Sequence, residues 1–165
     1  MSERKVVMEI IKDFLPKPLF ETIETITMKS DFPYKYEATT ADKEDTSHFF
    51  FCHMIFKDGR PTDWLMPIVY PLMAKVEHSE LLRAKVNLYT KTPKPIVTGF
   101  HIDGDFDHKV LLYSVNTNNG YTFFENGEKV PSIANQAVIF DGKLKHSSVT
   151  QTDENIRVNI NINFK

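Results

Sequence analysis

Two histidines and one aspartate in this sequence have the types and spacing to hold a single divalent metal ion. His101 and Asp103 are separated by one residue, and His146 follows much later in the chain. Residues i and i+2 of a strand point the same way, so we predict that His101 and Asp103 bind one ion from one edge of a sheet. His146 must then come from a different strand. Two imidazoles and one carboxylate occupy one face of an octahedral ferrous ion and leave its other positions open.

Arg157 is the residue best suited to bind the far end of a ligand held by such an ion. Its guanidinium is a planar fork that matches a carboxylate. Arg157 begins a run in which polar and apolar residues alternate strictly, Ile156 to Phe164. The polar face, with three asparagines beside Arg157, faces solvent if the fold is a simple sandwich. In a jelly roll it lines the lumen, where a polar, doubly anionic small molecule would supply its partners.

Length and composition indicate a single globular domain spanning residues 1–165. The chain is 41% hydrophobic and 25% charged, with a net charge of −2. This charge gives no bulk case for binding nucleic acid or a membrane surface. Cys52 is the only cysteine, which excludes an internal disulfide and favours a reducing, cytoplasmic location. Residues 1–5 do not lead into a signal sequence, and no apolar stretch is long enough to span a membrane.

The first part of the chain predicts helices and one aromatic strand. Residues 17–29 have amphipathic helical spacing that begins near Pro18, and residues 31–46 are polar and predict a loop or short helix. Residues 47–56 are β-prone. Residues 62–76 return to helical spacing, but two prolines predict a late start or a kink. The apolar stripe in that last segment is predicted to be core: Trp64, Leu65, Ile68, Val69, Leu72 and Met73.

From residue 80 onward the sequence predicts short strands separated by turns such as Asn119-Gly120 and Asp141-Gly142. The predicted strands are 81–90, 97–103, 109–116, 121–125, 128–130, 136–140, 146–150 and 156–164. Eight strands without an intervening helix predict a mainly β fold, a jelly roll or double-stranded β-helix. Residues 1–79 would supply helical and strand support for one face, and residues 80–165 the jelly-roll core.

The order of these motifs resembles that of the 2-oxoglutarate- and Fe(II)-dependent oxygenases. Within them it is similar to the small prolyl-4-hydroxylase-like group, which includes forms found in phages. The resemblance covers residues 81–165 and, beyond His101, Asp103, His146 and Arg157, includes segments 85–89, 112–116 and 134–142. A phage-encoded member would work in the host cytoplasm.

The resemblance implies a hydroxylase that couples decarboxylation of 2-oxoglutarate with oxidation of a prime substrate by O₂. His101, Asp103 and His146 would be the catalytic iron ligands, and Arg157 would bind the distal carboxylate of 2-oxoglutarate. Since Asp103 is present, no ligand position is vacant for the halide that halogenases of this superfamily bind. Peptidyl proline is the nearest candidate substrate, and small molecules remain open. The other predicted co-substrate contacts are Tyr89, its strand-face neighbour Asn87, Asn159, and Ser114 with Tyr113 beside it, where the family often has a tyrosine.

Other interpretations of the same residues remain. A cupin-type isomerase or metal-binding protein would use a similar barrel without 2-oxoglutarate, and would want a further His or Glu ligand. A non-catalytic jelly-roll module would need neither the three ligands nor Arg157. His108 is a rival ligand but is out of register with His101 and Asp103. A calcium loop over 103–114 is rejected because His108 and Ser114 stand where such a loop needs Gly and Glu. The remaining histidines are predicted to be structural: His48, His53 and His78.

Overall fold

The computed structural model describes residues 8–40 and 43–165, so the expectations for residues 1–5 and for positions 41–42 of the segment 31–46 lie outside the described residues. The described residues form eleven strands and two helical segments. The strands are β1 (Met8–Ile11), β2 (Lys35–Glu37), β3 (Phe50–Lys57), β4 (Arg60–Pro61), β5 (Leu81–Thr90), β6 (Lys109–Ser114), β7 (Asn118–Phe124), β8 (Lys129–Ser132), β9 (Gln136–Asp141), β10 (His146–Val149) and β11 (Ile156–Phe164). The helices are α1 (Lys17–Thr27) and a π-helical turn (Leu65–Val69) that continues into α2 (Tyr70–Met73). No helix in the described part of the chain is long and apolar enough to cross a membrane.

The strands form two antiparallel sheets, as a jelly roll requires. The large sheet has the order β1-β9-β6-β11-β5-β3-β2, with β4 paired to β3. The small sheet has the order β10-β7-β8. The predicted mainly β, double-stranded β-helix fold is confirmed. Strand β11 lies in the middle of the large sheet, hydrogen-bonded to β5 on one side and β6 on the other.

The helices pack on the outer face of the large sheet, where β11 presents its isoleucines. Ile160 and Ile162 are fully buried there with Ile23 of α1 and with Ile68 and Leu72 of the second helical segment. The predicted apolar stripe of residues 64–73 belongs to this core, as expected. The second helix begins only at Leu65 and its first turn is π-helical, because the prolines at 67 and 71 disrupt a regular start.

Two predicted segments differ in the structure. Residues 97–103 form no continuous strand, and only Val97 and His101 make isolated bridges, to Val149 and His146 of β10. Asp103 follows outside any strand. Residues 31–46 contain the short strand β2, because Lys35–Glu37 find a pairing edge on β3. A pairing edge on a distant strand leaves no periodic signal in the local sequence.

Candidate metal centre and active site

The three predicted ligands meet at the edge of the small sheet. His101 and His146 form an antiparallel bridge in which each backbone N–H donates to the other's carbonyl oxygen at 3.0 Å. Asp103 Oδ1 lies 3.7 Å from His101 Nε2 and 3.6 Å from His146 Nε2. All three ligand atoms lie within 4.8 Å of one another. The ladder pairing of the two histidines, rather than a shared strand with Asp103, brings the imidazoles together.

Backbone carbonyls set the orientation of both imidazoles. His101 Nδ1 lies 3.1 Å from Gly99 O, and His146 Nδ1 lies 3.2 Å from Leu144 O. Because a carbonyl oxygen only accepts, each Nδ1 carries the proton and each Nε2 presents its lone pair toward Asp103. Burial lowers the pKa of His146, although the Asp103 charge opposes this shift. The imidazole is therefore held in the neutral form that binds metals.

Asp103 is held by one oxygen, which leaves the other for a metal. Asn161 Nδ2 donates to Asp103 Oδ2 at 3.0 Å, and Asn163 Nδ2 donates to the same oxygen at 2.9 Å. The guanidinium of Arg83 lies 3.6 Å away from it. Burial alone would raise the pKa of Asp103, but the nearby His146, Asn163, Arg83 and Lys85 outweigh it and hold the pKa well below its usual range. The carboxylate is therefore ionised, and its Oδ1 is oriented toward the two imidazoles.

This donor set fits a ferrous ion with half its coordination positions open. Ligand atoms about 2.1 Å from one ion and at right angles to each other lie about 3 Å apart, so small side-chain rotations would close the set. Within residues 8–40 and 43–165, no fourth His, Cys or carboxylate joins the cluster. The three remaining coordination positions would face the cavity. Two of them could take a chelating ligand and the third a small molecule.

Arg157 is a buried cation without an acidic partner. Its side chain donates to Ser132 Oγ at 2.9 Å and to Ser148 Oγ at 2.6 Å, and its guanidinium carbon lies 5.3 Å from the ring centroid of Tyr89. The residue is only 2% exposed, and no ion pair neutralises it within the described part of the chain. Burial lowers its pKa, and Tyr89 opposes that shift. A charge so placed needs an anionic ligand.

A cavity between the two sheets joins the metal centre to the neighbours of Arg157. It contains about 530 Å³ of empty space, a figure that includes its mouth and the solvent there. Its lining includes all three metal-ligand candidates and three residues that contact Arg157: Tyr89, Thr122 and Ser148. The polar face of β11 therefore lines the lumen, and the solvent-facing alternative is wrong, since Arg157 and its three asparagines are all buried.

The other predicted co-substrate contacts divide into two groups. Tyr89, Asn87 and Asn159 line the cavity, and Asn87 Nδ2 donates to Asn159 Oδ1 at 3.0 Å. Tyr113 does not reach it, because it points to the opposite face of β6, packs in the helix-side core and donates to Asn135 Oδ1 at 2.8 Å. Its prediction was wrong. Ser114 lies beside Asn159 in the register but does not line the cavity.

Several contacts within the site were not predicted from the sequence, although Asn163 was expected to face the lumen. Asn161 and Asn163 hold Asp103, and Ser132, Ser148 and Thr122 hold Arg157. Gly120 leaves space for Arg157, since an added Cβ would lie 2.9 Å from Arg157 Cδ. The face shared with Arg157 on β11 was the available signal for the two asparagines. The serines and the threonine come from strands whose pairing the sequence does not reveal.

The rival ligands lie apart from the metal centre. His108 is buried, with Nδ1 2.8 Å from Phe106 O, and is not in the ligand cluster. Asp105 and Asp107, in the same segment, are exposed. His53 and His78 each lie close to a backbone carbonyl, that of Pro33 and of Val76. His48 is buried beside Phe49. The metal prediction therefore stays with His101, Asp103 and His146.

Solved structures that superpose on this chain include 2-oxoglutarate-dependent enzymes. No family model matches the sequence, and no curated protein matches it. A 2OG-Fe(II) oxygenase family oxidoreductase from Burkholderia pseudomallei superposes with a TM-score of 0.69 at 11% identity, covering 98% of this chain and 86% of that one. A Pseudomonas putida prolyl-4-hydroxylase gives 0.64 at 14% identity, covering 96% and 92%. The α-ketoglutarate-dependent epimerase SnoN, from nogalamycin biosynthesis, gives 0.68 at 9% identity, covering 96% and 77%.

These likenesses identify the fold as that of the 2-oxoglutarate- and Fe(II)-dependent oxygenases. The chain combines this fold with a complete His-Asp-His ligand arrangement, and prolyl hydroxylases are among the structures it matches. The phage origin suggested by the sequence stays a prediction. Because one of the matching structures is an epimerase, the fold alone does not select the reaction outcome.

Proposed function

We propose that this protein is an Fe(II)- and 2-oxoglutarate-dependent dioxygenase, and specifically a hydroxylase. One observation carries the proposal: a cavity with an open-sided His-Asp-His centre is also lined by Tyr89, Thr122 and Ser148, and these contact a buried arginine that has no acidic partner among the described residues. A dicarboxylate bound to the metal through one end and to Arg157 through the other would satisfy both. A metal-binding cupin or a non-catalytic module would have no use for that arginine.

The reaction balances with two co-substrates and one prime substrate. Dioxygen, 2-oxoglutarate and a substrate C–H give succinate, carbon dioxide and a substrate C–OH, with one oxygen atom in succinate and the other in the new hydroxyl. Iron, when bound, supplies the site at which dioxygen is reduced by electrons from 2-oxoglutarate and the substrate. The protein binds and orients the reactants and excludes side reactions.

The iron, the co-substrate and its binding arginine are assigned to particular side chains. His101, Asp103 and His146 hold the iron, and Asp103 does so through Oδ1 because Oδ2 is occupied by the two asparagine amides. Arg157 binds the distal carboxylate of 2-oxoglutarate, and the neighbouring Ser132 and Ser148 keep its guanidinium in place. The remaining co-substrate contacts come from Tyr89, which lies opposite Arg157, and from the pair Asn87 and Asn159, which lies two positions closer to the asparagines that hold Asp103.

For the prime substrate, we propose the type of reaction and one candidate class. Because Asp103 is present, no ligand position is free for a halide, which favours hydroxylation over halogenation. Peptidyl proline is the nearest candidate by resemblance, and three prolyl hydroxylases are among the similar structures. The single cysteine favours a cytoplasmic location, and the whole chain is proposed to act as one domain.

Spectroscopy under anaerobic conditions tests the proposal. Addition of Fe(II) and 2-oxoglutarate is expected to give a weak metal-to-ligand charge-transfer band in the visible, because a keto acid chelates the metal. The variants His101→Ala and Asp103→Ala should lose the band. Arg157→Ala should weaken 2-oxoglutarate binding by about 2–3 kcal/mol while metal binding persists, since a charge-assisted contact is removed.

The outcomes separate the candidate functions. A metal-bound protein without the band would argue for the cupin-type alternative. A protein that binds neither metal nor 2-oxoglutarate would argue for a non-catalytic module. Unchanged 2-oxoglutarate affinity in Arg157→Ala would show that the carboxylate-binding residue was assigned wrongly.

A further inference from the structure

A second cation, Lys85, faces the cavity and has no task in the function proposed above. It lies on the lumen face of β5, directly opposite Asn161 on β11. Its Nζ lies 5.8 Å from the ring centroid of Phe50. Across residues 8–40 and 43–165, it makes no ion pair with a carboxylate. Burial and the positive charge of Arg83 lower the pKa of Lys85, and the charge of Asp103 opposes this shift without forming an ion pair with the lysine.

Asn161 places an unsatisfied acceptor beside this cation. Its Nδ2 donates to Asp103 Oδ2, and a carboxylate oxygen only accepts, so the amide cannot turn over without losing that bond. The other amide atom, Asn161 Oδ1, is buried and has no hydrogen-bond partner, and Asn87 Oδ1 is in the same condition. Ionised 2-oxoglutarate has no N–H or O–H to donate, so it leaves both acceptors unsatisfied.

The position of Lys85 assigns it to the prime substrate. Asn161 lies four residues from Arg157 along β11, about 13 Å at the rise of an extended strand. Arg157 therefore serves the end of the lumen away from the metal. Lys85 lies across from the asparagine that holds a metal ligand, so it is at the metal end, where the oxidised molecule must sit. This step rests on the proposed function.

We propose that the prime substrate is a free amino acid, whose carboxylate pairs with Lys85 and whose amino group donates to Asn161 Oδ1. One small zwitterion supplies both the anion and the N–H donor that this end of the cavity lacks. An internal residue of a peptide has no free carboxylate, and its backbone amides are neutral. The charge arrangement therefore favours a free amino acid over peptidyl proline.

The test uses the full chain loaded anaerobically with Fe(II) and 2-oxoglutarate. The visible charge-transfer band is recorded first, and its absence would overturn the proposed function and this inference with it. The band, and then succinate formation in air, are measured with the common free amino acids and with their primary amides. The amides keep the side chain and amino group but lose the carboxylate. A blocked proline peptide is measured in parallel.

Three variants localise the effect. Lys85→Met removes the charge at similar length, Lys85→Arg retains it, and Lys94→Met removes an exposed lysine outside the cavity as a matched control. At least one amino acid should shift the band and accelerate succinate formation. Its primary amide should reach the same response only at about tenfold higher concentration. Lys85→Met should show a similar loss, whereas Lys85→Arg and Lys94→Met should respond like the parent protein.

Four results would overturn the inference while the band persists. They are an equal response to acid and amide, a response to the blocked peptide alone, an unchanged response in Lys85→Met, and no response to any amino acid. A fall in 2-oxoglutarate affinity in Lys85→Met as large as that in Arg157→Ala would instead assign Lys85 to the co-substrate. Thermal unfolding of each variant confirms that it is folded.

Discussion

The two faces of strand β11 share one backbone and are nearly equally buried, but they differ in whether the protein itself supplies contacts for their side chains. On the helix side, Ile160 and Ile162 are fully buried and packed by the protein's own side chains. On the lumen side, Arg157 is also buried, but the described part of the chain gives it no acidic partner and leaves the carbonyl oxygen of Asn161 without a hydrogen bond. The outer face is complete without a ligand, whereas the inner face requires one.

This difference separates the residues that support the fold from those that support function. Apolar burial provides most of the stability of a small domain, so the helix-side core should dominate the free energy of unfolding. Buried polar groups that lack partners lower stability and are retained where they bind something. Substitutions on the two faces should therefore affect different measurements.

The largest effect on stability is expected from Ile160→Ala. Removal of a fully buried isoleucine side chain should lower the free energy of unfolding by about 2–5 kcal/mol, because it loses apolar contacts and leaves a cavity. Urea denaturation measures the change, and Ile10→Ala, on the exposed β1 position, is the control. A loss below about 1 kcal/mol would mean that the outer face is not the main source of stability.

The converse is expected from Arg157→Met. Without ligand, its free energy of unfolding should stay within about 1 kcal/mol of the parent protein, because a buried unpaired charge is replaced by an apolar chain of similar length. The same variant should lose about 2–3 kcal/mol of 2-oxoglutarate affinity, measured by calorimetry with the metal bound. A stability loss as large as that of Ile160→Ala would remove the contrast between the two faces.

Asn163→Leu should affect the metal rather than the fold. The substitution removes the 2.9 Å hydrogen bond to Asp103 Oδ2 and should weaken metal binding about 10–100-fold, since partners of a ligand orient it. Titration with Co(II), followed by its visible absorption, reports this affinity without turnover. Exposed Asn126→Leu is the control. Parent-like Co(II) affinity would show that Asp103 needs no such support.

The smallest effect is expected at Asp45, which ties a surface loop to the segment before His101. Its carboxylate accepts hydrogen bonds from Gly99 N at 2.6 Å and Thr40 Oγ1 at 2.8 Å. Burial would raise its pKa, but the hydrogen bonds from Ser47, Gly99 and Thr40 lower it overall. Asp45→Asn should reduce the free energy of unfolding by about 1 kcal/mol at neutral pH.

The sign of the pH dependence follows from this lowered pKa. A carboxyl that is more acidic in the folded state adds stability above its unfolded pKa of about 3.9, and loses that contribution as the pH falls further. The difference in free energy of unfolding between Asp45→Asn and the parent protein should therefore become smaller below about pH 4. A difference that grows on acidification would contradict the assignment of these hydrogen bonds to the ionised carboxylate.

Local patterns predicted the two faces of β11 and the three side chains that cluster as candidate metal ligands. Polar and apolar residues alternate strictly from Ile156 to Phe164, and this period of two predicts a strand with two different faces without knowledge of the neighbouring strands. It left open which face is inside, because that depends on where the helices pack. His101, Asp103 and His146 were identified through their types and order, without knowledge of how the chain brings them together.

The errors came from information that lies in distant strands. Residues 97–103 were predicted as a strand, but only two bridges to β10 form, and their positions depend on where β10 lies. Tyr113 was paired with Ser114, although neighbours on a strand point to opposite faces and only one can face the lumen. The contacts of Asp103 with Asn161 and Asn163 join residues about 60 positions apart, so no local pattern reveals them.

An anomalous-scattering map gives the most direct test of the central claim, which is that three side chains hold one metal ion while Arg157 binds the far carboxylate of its chelating ligand. Crystals grown with Mn(II) as a redox-stable substitute for Fe(II), together with 2-oxoglutarate, should show one strong peak between His101 Nε2, Asp103 Oδ1 and His146 Nε2. Density for 2-oxoglutarate should run from that peak to the guanidinium of Arg157. A peak elsewhere, or a co-substrate that ends away from Arg157, would contradict the account.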